Sequence, residues 1–234
     1  MGSGFISLLR SLSGRSSYEG FHIKVTEPVF FFIFLHQLFL SDNMCTGKCS
    51  RFVAVSLYPL VLISIICNIL LFFPGWDVKY SREGHITEEV MYLGGILGGG
   101  VLVLISGLFI HLAGDQRCCT GRIVMLVSVL FAAVGLLGAL YSFLVAALGL
   151  TNGPLCKVQG EWTNPFKNST TSYLADYKSW SQCAEPKNVV KFNIALFVVL
   201  LATSSLQLIL CAVQILNGLI GCLCGPSDVD KDPT

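Results

Sequence analysis

Thiols are the most reactive side chains this chain offers, and they are placed unevenly. Cys118 and Cys119 stand side by side in GDQRCCTGR, between Arg117 and Arg122. Cys45-x-x-x-Cys49 precedes one long apolar tract, Cys222-x-Cys224 closes another, and Cys156 and Cys183 bracket a polar segment. Four chemistries are open to such thiols: nucleophilic catalysis, metal ligation, disulfide formation and attachment of a fatty acid. Nucleophilic work needs a base beside the sulfur. His22, His36, His85 and His111 are the histidines, each isolated, and no Ser/His/Asp or Cys/His set, paired carboxylates or phosphate-cradling loop accompanies them. We therefore expect no catalytic residue, no enzyme, no cofactor and no metal. Zinc held jointly by the Cys45, Cys118 and Cys222 groups is disfavoured by the adjacent ligands and the lack of a C-x-x-C knuckle.

The elements that must position these residues are set by composition. The chain is 53% hydrophobic and 12% charged over 234 residues, and its mean hydropathy is +0.71. A hydrocarbon core roughly 30 Å thick takes about 20 apolar residues to cross, and residues 52–73, 90–113, 123–150 and 192–219 each supply such a run with no Asp, Glu, Lys or Arg. Lipid offers no partner to a bare peptide group, so these runs are helices rather than barrel strands. The expected fold is an all-α membrane protein, a four-transmembrane-helix bundle with a small disulfide-stapled extracellular loop domain. A net charge of +1 leaves no basic patch for nucleic acid.

The connections are unequal. Loop one covers 74–89, loop two is the short hop 114–122, and loop three, 151–191, is the only one long enough to fold by itself. Loop three carries an acceptor sequon at Asn168, Ser169 and Thr170, which places it outside and both termini in the cytosol. The hop holds Arg117 and Arg122 against one acid, in keeping with a cytosolic side. Loop three itself carries Lys157, Lys167, Lys178, Lys187 and Lys191, so the overall basic count does not fix the orientation. In an oxidising exterior its cysteines, Cys156 and Cys183, are expected to pair. Six others, Cys45, Cys49, Cys118, Cys119, Cys222 and Cys224, gather at the cytosolic membrane surface, where structural disulfides do not persist. Inert thiols are one reading of them. S-palmitoylation fits better, because acyl transferases work at that face and the flanking arginines sit among anionic headgroups.

Residues 1–43 form an extension in which Arg10, Arg15 and Lys24 precede VFFFIFLHQLFL at 29–40, the shape of a signal peptide but too short to span. Cleavage there would invert the spans and contradict the sequon, so we read Met44 as the usual start and 1–43 as weakly ordered or interfacial. The remaining organisation is 44–113, a cytosolic N-terminus with spans one and two; 114–122, the hop; 123–150, span three; 151–191, the large loop; 192–221, span four; and 222–234, a cytosolic tail.

Polar and small residues inside the spans read as helix packing. At ~1.5 Å per residue, Asn68 lies about 8 Å below the outer end of span one and Gln207 about 22 Å down span four, so each needs its own partner. Gln207 falls level with Ser106, Gly135 and Tyr58, Gln214 with His111 and Ser128, and Asn68 with Gly94 and Gly95, where a main-chain carbonyl is expected to accept its amide. Gly94 with Gly98, Gly95 with Gly99, Gly135 with Ala139 and Gly138 with Ser142 are small-x-x-x-small pairs. They support packing of span two on span three, or a homo-oligomer through span two.

From Met44 onward the motifs MCTGKCSR, CNILLFFPGWDVKY, GGILGGG, GLTNGPLC, WSQCAEPKNVVKFNIALF and LNGLIGCLCG follow in order. This pattern resembles the transmembrane four L-six family of tetraspanin-like four-span proteins. Tetraspanins proper carry a Cys-Cys-Gly motif and further loop cysteines, and claudins place their large loop first. The plain Cys118–Cys119 pair and Phe192 depart from the family pattern. The resemblance implies a plasma-membrane adaptor, present also in endosomal or lysosomal membranes. It implies partners in the lipid bilayer and among membrane proteins such as integrins, growth-factor receptors or tetraspanins, with effects on adhesion, migration or proliferation. The alternative function is a sensor that binds a small ligand in a loop-three pocket made by Trp162, Phe166 and Trp180.

Overall fold

A computed structural model describes residues 46–74, 78–115, 122–167, 173–174, 177–186 and 188–224. Among these residues, four helices are long and apolar enough to cross a membrane: Lys48–Leu71, Glu88–Gly114, Ile123–Asn152 and Val189–Cys222.

Span one is the helix α1, Thr46–Leu71, which holds Pro59 in its interior. Proline cannot donate to the carbonyl four residues back, an omission a membrane helix tolerates when neighbouring helices cover the site. Pro74 sets the end of α1. The residue before a proline avoids the helical region, and the last turn tightens, with Phe72 N–H donating to Ile69 O at 3.1 Å and Phe73 N–H to Leu70 O at 2.9 Å. Loop one contains the single turn α2, Lys79–Arg82.

Span two is not the uninterrupted α-helix that its hydropathy predicts. A short helix α3, Glu88–Met91, stops at Tyr92; Leu93 takes a left-handed conformation at φ 52°. The chain then runs as a π-helix over Gly94–Leu102 before resuming as α4, Val103–Asp115. Glycines at 94, 95, 98, 99 and 100 are all buried there. Glycine stabilises an α-helix poorly, so packing and side-chain bonds from neighbouring helices decide the local form.

Span three is α5, Arg122–Asn152, and span four is α6, Val189–Cys224. Both outrun the spans drawn from composition, because a helix continues past the hydrocarbon until a stop signal. For α5 the stop is Gly153, at φ 73°, whose N–H returns to Gly149 O at 3.2 Å. The α5–α6 contact is the most extensive in the bundle, and the π-helix packs chiefly on α5 and α1, with a smaller contact to α6. One apolar cluster, with Val53, Leu57, Val103, Ile110, Ala139 and Cys211, fills the half near the hop, and a second, with Leu71, Val90, Leu150 and Phe197, fills the half near the large loop.

The large loop folds as a small domain. Strands β1, Cys156–Val158, and β2, Glu161–Thr163, pair antiparallel with Lys157 opposite Trp162. Their two-residue turn puts Gln159 at φ 51° and Gly160 at φ 94°, the positive values a tight hairpin requires. A 3-10 helix, Tyr177–Gln182, follows, and Lys157 bridges on to Glu185. Cys156 and Cys183 form a disulfide with 5.4 Å between their Cα atoms. Beneath it, Phe166, Tyr173, Val189 and Val190 are buried together, and Trp180 packs on them.

Candidate functional site

The chemistry of the bundle is concentrated in its buried amides and hydroxyls, and each is positioned by a helix face. Asn68, buried on α1, accepts a hydrogen bond at its Oδ1 from Ile96 N–H at 3.1 Å. The direction is opposite to the expected one: the side-chain carbonyl accepts, sharing the Ile96 N–H with Leu93 O, which lies at 3.0 Å. Asn68 thus ties span one to the start of the π-helix.

Gln207, fully buried on α6, donates from Nε2 to Gly99 O at 2.8 Å. Ser106, Gly135 and Tyr58, the expected partners at that depth, are engaged elsewhere. Ser106 donates at Oγ toward Leu102 O at 3.0 Å and Phe131 O at 2.6 Å, Tyr58 pairs with His111 Nδ1 at 3.0 Å, and Gly135 is where the Ser106 side chain lies against α5. Equal depth did not reveal which way each face turns. Gln214, also fully buried, donates to Ser128 Oγ at 2.8 Å and to Ser50 Oγ at 2.9 Å, and Asn217 adds a bond to Ser50 at 3.2 Å. His111 is not its partner, having turned to Tyr58. Ser50 is a further bridging residue that depth matching missed.

Around Gly99 the hydroxyls form two short chains. Ser64 donates to Thr203 Oγ1 at 3.1 Å and Thr203 to Leu200 O at 3.0 Å; Ser204 lies 2.9 Å from Ser142 Oγ and 2.7 Å from Leu200 O. Runs of serine and threonine on an apolar helix were the available signal for this node, which sequence reasoning passed over apart from Ser142.

The glycines permit these approaches. A β-carbon on Gly98 would stand 2.5 Å from Gly138 O, and one on Gly138 would stand 2.8 Å from Gly98 O, so spans two and three touch backbone to backbone. Gly94 faces Val145, Gly95 faces Ser64 O and Asn68, and Gly99 faces Ser142, Gln207 and Ser64. The chain's own helices therefore cover the glycine faces that a homodimer through span two would use.

In the large loop, Trp180 Nε1 donates to Tyr173 O at 2.9 Å and Tyr173 OH to Leu150 O at 2.6 Å. Burial pushes the Tyr173 phenol pKa upward. The Phe166 and Tyr173 rings lie 4.6 Å apart, whereas Trp162 stacks on His85 of loop one at 4.0 Å with 13° between the planes. The three aromatics proposed to line one pocket are thus divided: Phe166 and Trp180 serve the loop's own core, and Trp162 fastens that loop to loop one. At the membrane edge, buried Glu89 accepts a bond from Asn152 Nδ2 at 2.6 Å.

Of the six cysteines expected to carry lipid, Cys49 and Cys222 are half-buried near the same end of the bundle, and Cys224 lies in the last turn of α6. Cys45, Cys118 and Cys119 fall outside the described residues, as does the sequon at Asn168. Among the described residues no group of three or more His, Cys, Asp or Glu side chains is placed to hold a metal.

Four apolar helices, a short hop between the second and third, and a disulfide-closed domain before the fourth define an integral four-span membrane protein with one substantial extramembrane unit. The family model for the L6 membrane protein matches residues 44–228, and the chain belongs to that family. It is 44% identical over 191 residues to human transmembrane 4 L6 family member 1, covering 78% of this chain and 95% of that protein. It is 44% identical over 191 residues to mouse transmembrane 4 L6 family member 4, covering 78% and 93%. Against bovine transmembrane 4 L6 family member 5 the identity is 42% over 187 residues, covering 78% and 95%. No solved structure matches the chain.

Proposed function

We propose that the protein is a non-enzymatic organiser of the plasma membrane, an adaptor that associates laterally with adhesion receptors such as integrins, growth-factor receptors and tetraspanin-like proteins. Through them it influences adhesion, migration or proliferation. One observation carries this reading: the division between the inside and outside of the bundle. The amides and hydroxyls of the spans turn inward to meet each other, while the lipid-facing surfaces carry Leu62, Ile66, Leu112, Leu130, Leu137 and Leu216. Such walls have only lipid or another membrane protein to touch, and helix association in lipid proceeds through packing of surfaces like these.

In this reading both termini lie in the cytosol and the disulfide-closed loop faces outward with a glycan on Asn168. S-palmitoyl groups on Cys45, Cys49, Cys118, Cys119, Cys222 and Cys224 ring the cytosolic rim. The spans already anchor the protein, so the acyl chains serve sorting into acyl-rich assemblies, each buried CH₂ adding about 0.8 kcal/mol of membrane affinity. Replacement of all six cysteines by serine tests this: loss of hydroxylamine-sensitive acyl labelling is expected together with weaker recovery of partners in mild detergent, at unchanged surface expression. Retained partners with labelling lost would assign the organising surface to the helices or the loop instead. The sensor alternative draws no support from the aromatics, which are spent on the loop core and the loop-one contact.

A further inference from the structure

At Gly99 all four spans bring polar atoms together, and their protons can be counted. The site for a β-carbon on Gly99 lies 3.0 Å from Ser142 Oγ, 3.1 Å from Gln207 Oε1 and 3.2 Å from Ser64 Oγ, so oxygens from spans three, four and one converge on one face of span two. Ser64, Ser142 and Gln207 are almost wholly buried.

Each hydroxyl has one proton to give. Thr203 gives its proton to Leu200 O, and Ser64 gives its own to Thr203. Ser204 has two acceptors in reach and one proton; the shorter contact, 2.7 Å, is to Leu200 O, which leaves the 2.9 Å contact to be made by the proton of Ser142. Gln207 is oriented by the Gly99 carbonyl: an amide turned the other way would set oxygen against oxygen at 2.8 Å. Its Oε1 therefore faces the node, and among the described residues it has no hydrogen-bond partner. The three converging oxygens present lone pairs and no protons.

A buried amide oxygen without a donor is destabilising, and native proteins rarely leave one so. We propose that the Gly99 node is a hydration site: one water molecule bound among Ser64, Ser142 and Gln207, donating one proton to Gln207 Oε1 and the other to a serine oxygen. Two or more partners at such a site suit a buried water. The chemistry selects a neutral donor. Among the described residues no carboxylate joins the three oxygens, and an uncompensated cation within the hydrocarbon layer is strongly disfavoured. Burial of all three residues closes the node to lipid hydroxyls. The water would complete the contacts that hold the π-helix against the other spans, of which Gly99–Gln207 and Ile96–Asn68 are the direct ones.

The test is a structure of the lipid-reconstituted protein at a resolution that shows ordered water, paired with melting curves in sodium, potassium and choline chloride at equal ionic strength. Expected is a single peak within hydrogen-bonding distance of Gln207 Oε1 and one serine hydroxyl, lost in Gln207→Met, with the same melting temperature in all three salts. A wild-type map with no peak there overturns the proposal, whether or not the variant folds. A melting temperature higher in sodium or potassium than in choline, with that difference abolished by Gln207→Met, overturns it in favour of a cation.

Discussion

Tyr173 joins the two worlds of this molecule, since its ring belongs to the loop core while its hydroxyl reaches the last turn of span three. Burial raises its pKa in the folded protein above the unfolded value of about 10. The stabilisation it contributes is therefore complete below about pH 10 and is lost as pH rises further, because the unfolded chain releases the proton first. Thermal melts followed by tryptophan fluorescence should fall in midpoint between pH 9 and pH 11, and Tyr173→Phe should lessen that fall while costing about 1 kcal/mol at neutral pH. Gln214 makes a second prediction at this scale. Gln214→Leu removes donors to Ser50 and Ser128 at about 0.6–2 kcal/mol per bond, measurable by unfolding in mixed detergent micelles. Sequence named Gln207, Gln214 and Asn68 as residues needing partners, since an amide in an apolar run allows little else. It paired them by depth, and depth carries no information on rotation about the helix axis, which is why Asn68 does lie against Gly95 but Ser128 alone was matched as a hydrogen-bond partner.

At the scale of elements, the π-helix is the feature composition could not show. Five buried glycines in GGILGGGVL announce close approach, yet hydropathy reads alike through α and π geometry. What distinguishes them here are bonds from elsewhere in the chain, Asn68 to Ile96 and Gln207 to Gly99. The spans and the loop disulfide, by contrast, were legible, because uninterrupted apolar length and a lone pair of cysteines in one loop each admit few arrangements. Gly98→Ala should force spans two and three apart where a β-carbon meets Gly138 O, lowering stability by about 1–3 kcal/mol in the same assay. Opening the disulfide acts on the loop alone. With its cysteines 27 positions apart in sequence, Cys156→Ser with Cys183→Ser should lower the loop's stability, by about 3–4 kcal/mol from loop-closure entropy. Faster proteolysis in residues 156–186 with the spans intact would register that loss.

For the whole molecule, the inward polar node and outward apolar walls leave the spans with lipid or other membrane proteins to touch. Orientation can be checked through Asn168: protein from secretory cells should gain mobility on enzymatic deglycosylation, and Asn168→Gln should match the treated form. Fold class was open to sequence because the bilayer restricts what can cross it; the partners were not, since an apolar wall of leucine and isoleucine bears no address. The most direct measurement is therefore proximity labelling in intact cells from an enzyme fused to the C-terminal tail, compared with an unrelated four-span protein expressed to the same surface density. A reproducible set of adhesion and growth-factor receptors enriched over that control, and recovered again by co-isolation in mild detergent, is the expected result. Labelling indistinguishable from the control would contradict the organiser function.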